Sequence, residues 1–439
     1  MKAQKRKISN GAREILNFLI EVFKLKEMPR TGWVLRDVTD PETVAEHTFG
    51  VATIAWPLGE KSNLSVKKAI KIALSHDLCE VYAGDITPFF YYPKLPESKE
   101  EMKEMLMKWS RLSKKEKEKI GKAKFEKEKK ALFKLVKNLE PKIKKEIFSS
   151  WLDYENGLVR EGRFVRQLNR IETLVQSIKF FGTKVVKSGS NWWEWVEEVA
   201  DNHSLLEFLK VVQSKFYGRK FKTIEEKKEL AGILDFLLEI NKLKNLPRRI
   251  WQLLEVKGSL ETVAGHIFSV ALMAWIFGGK RPELNMGKLL KMALCHEIAA
   301  VYTNDLTPYD GILTEKKEKK EVFKKWLRLP RKEKEKIHLE HHKKEKAALK
   351  KITSKLAIPL KKEIIQLFDE YKTLNTAEAR FLNQVNVTAV LLQALLYWKK
   401  DKKLQIDWMW EWAFEKCEDQ IILDFLDALK EEFCSIDFK

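Results

Sequence analysis

Four of the chain's eight histidines fall at matched places in two stretches of sequence. The first stretch contains ETVAEHTFGVATIAW and IALSHDLCEVYAGDITP, which place His47 about 30 residues before the adjacent pair His76-Asp77. The second contains ETVAGHIFSVALMAW and MALCHEIAAVYTNDLTP, with His266, His296 and Glu297 at the same places. An imidazole followed by an imidazole–carboxylate doublet is a metal-ligand arrangement. A carboxylate inside an otherwise apolar helix is costly unless something pairs it, and a divalent cation is one such partner. Neutral imidazoles and a carboxylate suit Mn, Co, Fe, Ni or Zn without selecting among them. A cation held this way lowers the pKa of a bound water and can supply hydroxide near neutral pH.

Two further acids follow the first doublet. Glu80 lies one helical turn beyond Asp77, and Asp85 sits in the turn Gly-Asp-Ile-Thr-Pro. One suits a general acid or base and the other a contact to a hydroxyl or to a ligand's outer partner. Helix capping and surface charge are the plain alternative. Upstream, PRTGWVLRDV carries Arg30 and Arg36 on either side of Trp33. Two guanidiniums beside an indole suit a phosphate with a stacking base, and a surface loop is the competing reading.

The elements that must position these residues are helices. Apolar residues recur at helical spacing at Ile15, Phe18, Leu19, Val22 and Phe23, at Val51, Ile54, Ala55 and Leu58, and at Ile171, Leu174, Val175 and Ile178. Ser65 before VKKAIKIAL reads as an N-cap. No alternating run of the kind that builds a sheet is present, so the fold class is all-α.

Self-similarity extends far beyond the histidines. ILNFLIEVFKLKEMPR matches ILDFLLEINKLKNLPR, KWSRLSKKEKEKI matches KWLRLPRKEKEKI, and WEWVEEVADNHSLLEFLKVV matches WEWAFEKCEDQIILDFLDAL. Two copies of one unit therefore fill the chain, with expected domains at 1–218 and 226–439 and a join near YGRKFKTIEEKK. The Lys/Glu-rich segments 113–130 and 331–351 read as exposed helices steadied by ion pairs, with a nucleic-acid arm as the alternative. His338, His341 and His342 share a face of the second segment, where a wet charged surface is favoured over a metal site.

The chain has 439 residues and a formal net charge of +20. That field favours an acidic partner such as a nucleotide or another phosphorylated small molecule, with nucleic acid on the basic helices as a further option. A lysine-rich solvated surface accounts for most of the charge, since Lys is interleaved with Glu. No run reaches the apolar length of a membrane helix. Cys79, Cys295, Cys417 and Cys434 lack CxxC spacing and read as reduced thiols of a cytoplasmic protein.

RTGWVLRDV, ETVAEH, ALSHDLCEVYAGDITP and RFVRQLNRIETLVQ together resemble the HD-domain superfamily of metal-dependent phosphohydrolases, in its 5′-deoxynucleotidase-like branch. The resemblance implies two tandem HD-domain helical bundles and hydrolysis of nucleoside 5′-monophosphates. By that likeness His47, His76 and Asp77 are metal ligands, Glu80 and Asp85 are catalytic or substrate-contacting, and Arg30, Trp33 and Arg36 lie near the substrate. The family's fourth ligand is an Asp where this chain has Asn169, and Asn386 in the second copy. An amide oxygen still coordinates but carries no charge, and Glu172 one turn later is positioned to compensate. In the second copy Glu297, Ala300, Gly265 and Leu254 replace Asp77, Glu80, Glu46 and Arg36, while Asp305 is kept. That copy reads as degenerate, left with weak metal or nucleotide binding or only a packing face; the fallback is a built-in dimer partner, which makes the chain an intramolecular pseudo-dimer. A di-iron oxygenase site needs extra histidines between His76 and position 169, and none is there. The alternative to an enzyme is a non-catalytic pair binding nucleotide or RNA.

Overall fold

The computed structural model describes residues 10–87, 113–187, 191–219, 225–307 and 329–434, with 98, 100–102 and 104. The described residues are helical throughout, and their only β-type contacts are two isolated bridges, Pro29–Thr43 and Pro247–Thr262. The all-α expectation holds. The inter-repeat join at 220–224 and Pro88 of the Gly-Asp-Ile-Thr-Pro turn lie outside the described residues.

Eight main helices come from the first repeat. These are α1 (Asn10–Val22), α2 (Val44–Lys61), α3 (Val66–Ser75), α4 (Lys114–Val136), α5 (Pro141–Asn156), α6 (Arg160–Val185), α7 (Asn191–Glu197) and α8 (His203–Tyr217). The second repeat supplies α9 (Glu225–Ile240), α10 (Val263–Gly278), α11 (Met286–Cys295), α12 (Arg331–Ile352), α13 (Ile358–Thr373), α14 (Ala377–Lys400), α15 (Asp407–Lys416) and α16 (Gln420–Cys434). Within the first set α2 and α3 pack on each other and on the long α6, with α5 closing the far side. The second set repeats this with α10, α11, α14 and α13. Helix α2 is buried for nearly its whole length, from Val44 to Gly59, because apolar residues cover its full circumference. A helix in that position places whatever polar residue it carries, here His47, in the core.

Helix starts are fixed locally. Thr43 caps α2 in a capping box, accepting from the Glu46 N–H while the Glu46 carboxylate accepts from the Thr43 N–H at 2.7 Å. Ser65 does stand at the N-cap of α3, but its side chain makes no cap bond. Its backbone N–H instead donates to Glu161 at 3.1 Å, tying α3 to the start of α6. Helix α6 breaks at Gly182, whose φ of 72° is a left-handed conformation that glycine adopts without a Cβ clash. The break turns the chain toward α7, whose Trp192 packs beside Phe181.

The residues divide into two compact units that do not follow the repeat boundary. One comprises Lys24–Leu238 with Lys355–Ala357, and the other Met1–Phe23, Glu239–Ser354 and Ile358–Lys439. Most of α9 thus belongs to the unit of the first repeat, and α1 to the unit of the second, where it packs on α16. Both helices are tightly held. Ile15, Leu16, Phe18 and Leu19 of α1 are almost fully buried, as are Leu230, Ile233, Leu234 and Phe236 of α9. Each such side chain stabilises by roughly 1.5–3 kcal/mol, whereas an exposed ion pair adds about 0–1 kcal/mol. The apolar faces therefore do the holding.

No helix among the described residues is long and apolar enough to cross a membrane. Cys79, Cys295 and Cys417 are free and buried.

Candidate metal centre

His47 stands one turn into α2, and its ring is completely buried. Its Nδ1 lies 2.6 Å from the Glu172 carboxylate on α6. A carboxylate accepts, so Nδ1 carries the proton and Nε2 carries the lone pair. His76 closes α3, and its Nδ1 lies 2.7 Å from the Ala73 carbonyl. A carbonyl also only accepts, so the same tautomer results. Both Nε2 atoms are buried and have no protein partner. Asp77 Oδ2 lies 3.1 Å from His76 Nε2 and 3.8 Å from His47 Nε2. The ligand atoms of His47, His76 and Asp77 all lie within 4.8 Å of one another. Asn169 on α6 donates its amide N–H to the Tyr154 hydroxyl, leaving its Oδ1 buried and unpartnered. Two imidazole lone pairs and an amide oxygen that no protein donor answers, beside a carboxylate that Arg30 also reaches, fit a divalent cation.

Charge in the site is strongly perturbed. Burial alone would raise the Asp77 carboxyl, but His76, Arg30 and His47 overcome it and hold the group well below the ordinary carboxylate range. Glu80 goes the other way, pushed well up by burial and then by the charges of Asp77 and Asp85. Its Oε2 is buried without a partner. Arg30 reaches Asp77 at 3.2 Å and Asp85 at 3.5 Å. Asp85 also accepts the Thr31 N–H at 2.6 Å, which fixes the Arg30–Trp33 turn over the site.

A cavity of about 430 Å³ opens beside these groups, lined by Arg30, Arg36, Asp77, Glu80, Asn169, Trp192 and Trp195 among others. The volume is within the range of small-molecule sites. Trp33 also reaches it but is buried to 3% exposure, with its N–H on Glu42 at 2.9 Å. It stacks on Trp192 at 5.6 Å between ring centroids, with an interplanar angle of 21°. Trp33 thus braces the wall, and the half-buried Trp192 and Trp195 present aromatic surface at the cavity. Arg36 lies over the Trp192 ring at 4.7 Å and donates to the Gly32 carbonyl. No carboxylate pairs it among the described residues, and burial lowers its pKa to about 10. At the far wall Glu198 receives Lys117 at 3.0 Å and Arg170 at 3.2 Å.

Several contributors were not legible beforehand. The half-buried Tyr154, Lys124 and Glu155 and the buried Glu128 cluster next to His76 and Asp77. Burial lifts the Glu128 carboxyl to about 7 despite Lys124 at 3.4 Å. The signal available was the Lys124–Glu128 spacing, which looks like any exposed i,i+4 pair. Glu172 orients His47 instead of standing in for the missing aspartate charge.

The second copy keeps the fold of the site and inverts its chemistry. Position 172 is matched by Ala389, and the Glu261 carboxylate stands 3.9 Å from His266 Nδ1, beyond hydrogen-bond distance. His266 Nε2 lies 2.7 Å from Asn386 Oδ1. An amide oxygen accepts, so Nε2 bears the proton and has no lone pair to offer. His296 keeps the Ala293 bond at 2.7 Å, with its pKa lowered to about 4 by burial. Glu297 stays ionised through Lys372, then His296 and Arg248, in spite of its burial. Asp305 pairs with Arg248 at 2.8 Å. Among the described residues, the metal-competent groups are His47–His76–Asp77 and Glu42–His47–Glu172, with none in this copy. His342 reaches Asp369 at 3.2 Å on a charged helix face. The chain is therefore expected to retain one tightly bound divalent cation after dialysis, and His296→Ala to leave that content unchanged. Two equivalents per chain by elemental analysis would contradict this.

The HD domain family model matches residues 22–192 and again 240–416. The chain is similar to the human protein named 5′-deoxynucleotidase HDDC2, with 31% identity over 39% of this chain and 70% of that one. It is similar to 5′-deoxynucleotidase YGK1 of Saccharomyces cerevisiae, with 30% identity over 38% and 66%. Among solved structures, a protein of Pyrococcus horikoshii OT3 is similar at 22% identity, covering 46% of this chain and 97% of its own, with a TM-score of 0.33.

Proposed function

The chain belongs to the HD domain family, and on that premise we propose that it is a metal-dependent phosphohydrolase that removes phosphate from nucleoside 5′-monophosphates at the site of its first repeat. The observation that carries this reading is the pair of buried Nε2 lone pairs set by tautomer beside an ionised Asp77. His47, His76, Asp77 and Asn169 would hold the cation. When bound, a divalent cation supplies Lewis-acid polarisation of a phosphoryl oxygen and an acidified water.

The chain's own residues divide the rest of the work. Glu80 keeps its proton because burial and two neighbouring carboxylates disfavour the ion, so it is the acid that can protonate the departing sugar oxygen. Asp85 is committed to Thr31 and Arg30 and acts by fixing that turn. Arg30 balances the two aspartates. Arg36, which no carboxylate pairs among the described residues, meets the phosphate's negative charge, and Trp192 offers a flat face to the base. In the second repeat Leu254 and Ala300 remove the counterparts of Arg36 and Glu80, in line with a non-catalytic copy.

Arg36→Met is expected to raise KM for nucleoside monophosphates by about 10–100-fold, the worth of a charge-assisted hydrogen bond of ~1.5–3 kcal/mol. Cation content should not change, and steady-state kinetics beside elemental analysis checks both. The function itself is tested by phosphate release from a panel of ribo- and deoxyribonucleoside monophosphates with each divalent cation in turn. Absence of release with every cation, together with salt-sensitive RNA binding that survives loss of His76 and Asp77, would replace the enzyme by a binding protein.

A further inference from the structure

We infer that the two repeats have exchanged their first helices, so that the unit carrying the metal-type site is completed by α9 of the C-terminal repeat. The second repeat is then an obligatory structural partner of the first, whatever its own site does. The inference does not depend on the catalytic reading.

Three observations carry it. First, α9 from Glu225 to Leu238 belongs with residues 24–217, and α1 belongs with the unit built from the second repeat. Second, the two helices have interchangeable apolar faces, with Ile15, Leu16 and Phe18 matching Ile233, Leu234 and Phe236, all buried. Apolar burial alone would let either helix fill either place. Third, the remaining positions differ in ways that fix the assignment. Glu229 pairs with Lys61 and Asp235 with Lys215, both cations of the first repeat, while Asp235 also keeps Lys355 of its own repeat at 2.7 Å. The matching positions of α1 are Gly11 and Asn17, which offer no charge.

Sterics separate the two helices as well. A Cβ on Gly232 would meet the carbonyl oxygen of Lys355, in its own repeat, at 2.1 Å, and the matching residue of α1 is Glu14, so α1 does not fit the place of α9. In the other unit Arg13 pairs with Glu431 on α16. The matching residue of α9 is Ala231, which cannot make that pair. Each helix is therefore matched by charge to the opposite repeat.

The test uses the full-length chain and hydrogen exchange read by mass spectrometry. Leu234→Asp should speed exchange of α8 at least about tenfold and leave α16 protected, and Leu16→Asp should do the reverse. Exchange loosened in the helix of the variant's own repeat would overturn the proposal. Disulfide trapping decides even if an aspartate variant fails to fold. Arg13→Cys with Glu431→Cys should cross-link on oxidation, and Arg13→Cys with Ser214→Cys, the matching position of its own repeat, should not. The opposite pattern would refute the exchange. Leu234→Asp should also lose the bound cation while Leu16→Asp keeps it. If even the unaltered chain binds no cation, the metal reading fails, and the exchange still stands or falls on the protection and cross-linking results.

Discussion

Replacing His76 and Asp77 together with alanine should release the bound cation and slow phosphate release by about 1,000-fold or more. A Lewis acid contributes several kcal/mol of transition-state stabilisation, and each ~1.4 kcal/mol is tenfold in rate. The fold should survive. His76 caps the C-terminus of α3 and Asp77 follows it, so neither side chain lies inside a regular helix, and Arg30 keeps Asp85 as a partner. Two buried polar groups are lost along with the cation that would have satisfied them, so the site collapses toward a neutral core. Elemental analysis after dialysis, circular dichroism and a phosphate assay give the three readouts. Undiminished turnover by a folded variant lacking the cation would place the chemistry elsewhere.

The second large effect concerns Asn169. Its carboxamide has one coordinating oxygen, and that oxygen faces inward only because the N–H side is spent on Tyr154. Tyr154→Phe removes the restraint, and the amide can then turn its donor toward the site, where two imidazole lone pairs would accept it. Cation affinity should fall by about 10–100-fold, as for other outer-sphere partners of metal ligands. Asn169→Asp should tighten binding by a similar factor, since it adds a charge next to a dication. A carboxylate has two equivalent oxygens and needs no such restraint. Tyr154→Phe should therefore cost far less in the Asn169→Asp background, where calorimetry of the four proteins with Mn²⁺ gives the coupling directly. Equal losses in both backgrounds would assign Tyr154 a packing role alone.

Much of the fold was legible in the sequence because helical periodicity and a repeat of some 200 residues are properties of the letters themselves. His47, His76 and Asp77 stood out for the same reason, since ionisable residues in apolar helices demand an explanation. Other features depend on what lies opposite in space. Glu172 looked like a substitute ligand until its partner was seen to be His47 Nδ1. The replacement at Ala389 looked like ordinary core variation, yet it decides which nitrogen of His266 bears the proton. Trp33 suited a stacking role, but its flank is covered by Trp192 and Phe180. Periodicity likewise shows that α1 and α9 each have an apolar face and is silent on which unit receives it.

The placement of α1 also sets a timetable for the nascent chain. Helix α1 is synthesised before the other described helices, and its seat on α16 is completed about 400 residues later. At ~5–20 residues per second that interval is roughly 20–80 s, during which Ile15, Leu16, Phe18 and Leu19 have no permanent cover. The unit with the metal-type site waits less, since it needs only α9 to emerge, apart from the short segment 355–357. Maturation should thus run from the middle of the chain outward, with the N-terminal helix docking last. A ribosome stalled far enough beyond Ile240 for α9 to clear the exit tunnel would already present the site's ligands in place while still trailing an unattached amphipathic helix, the form most exposed to chaperones and proteases.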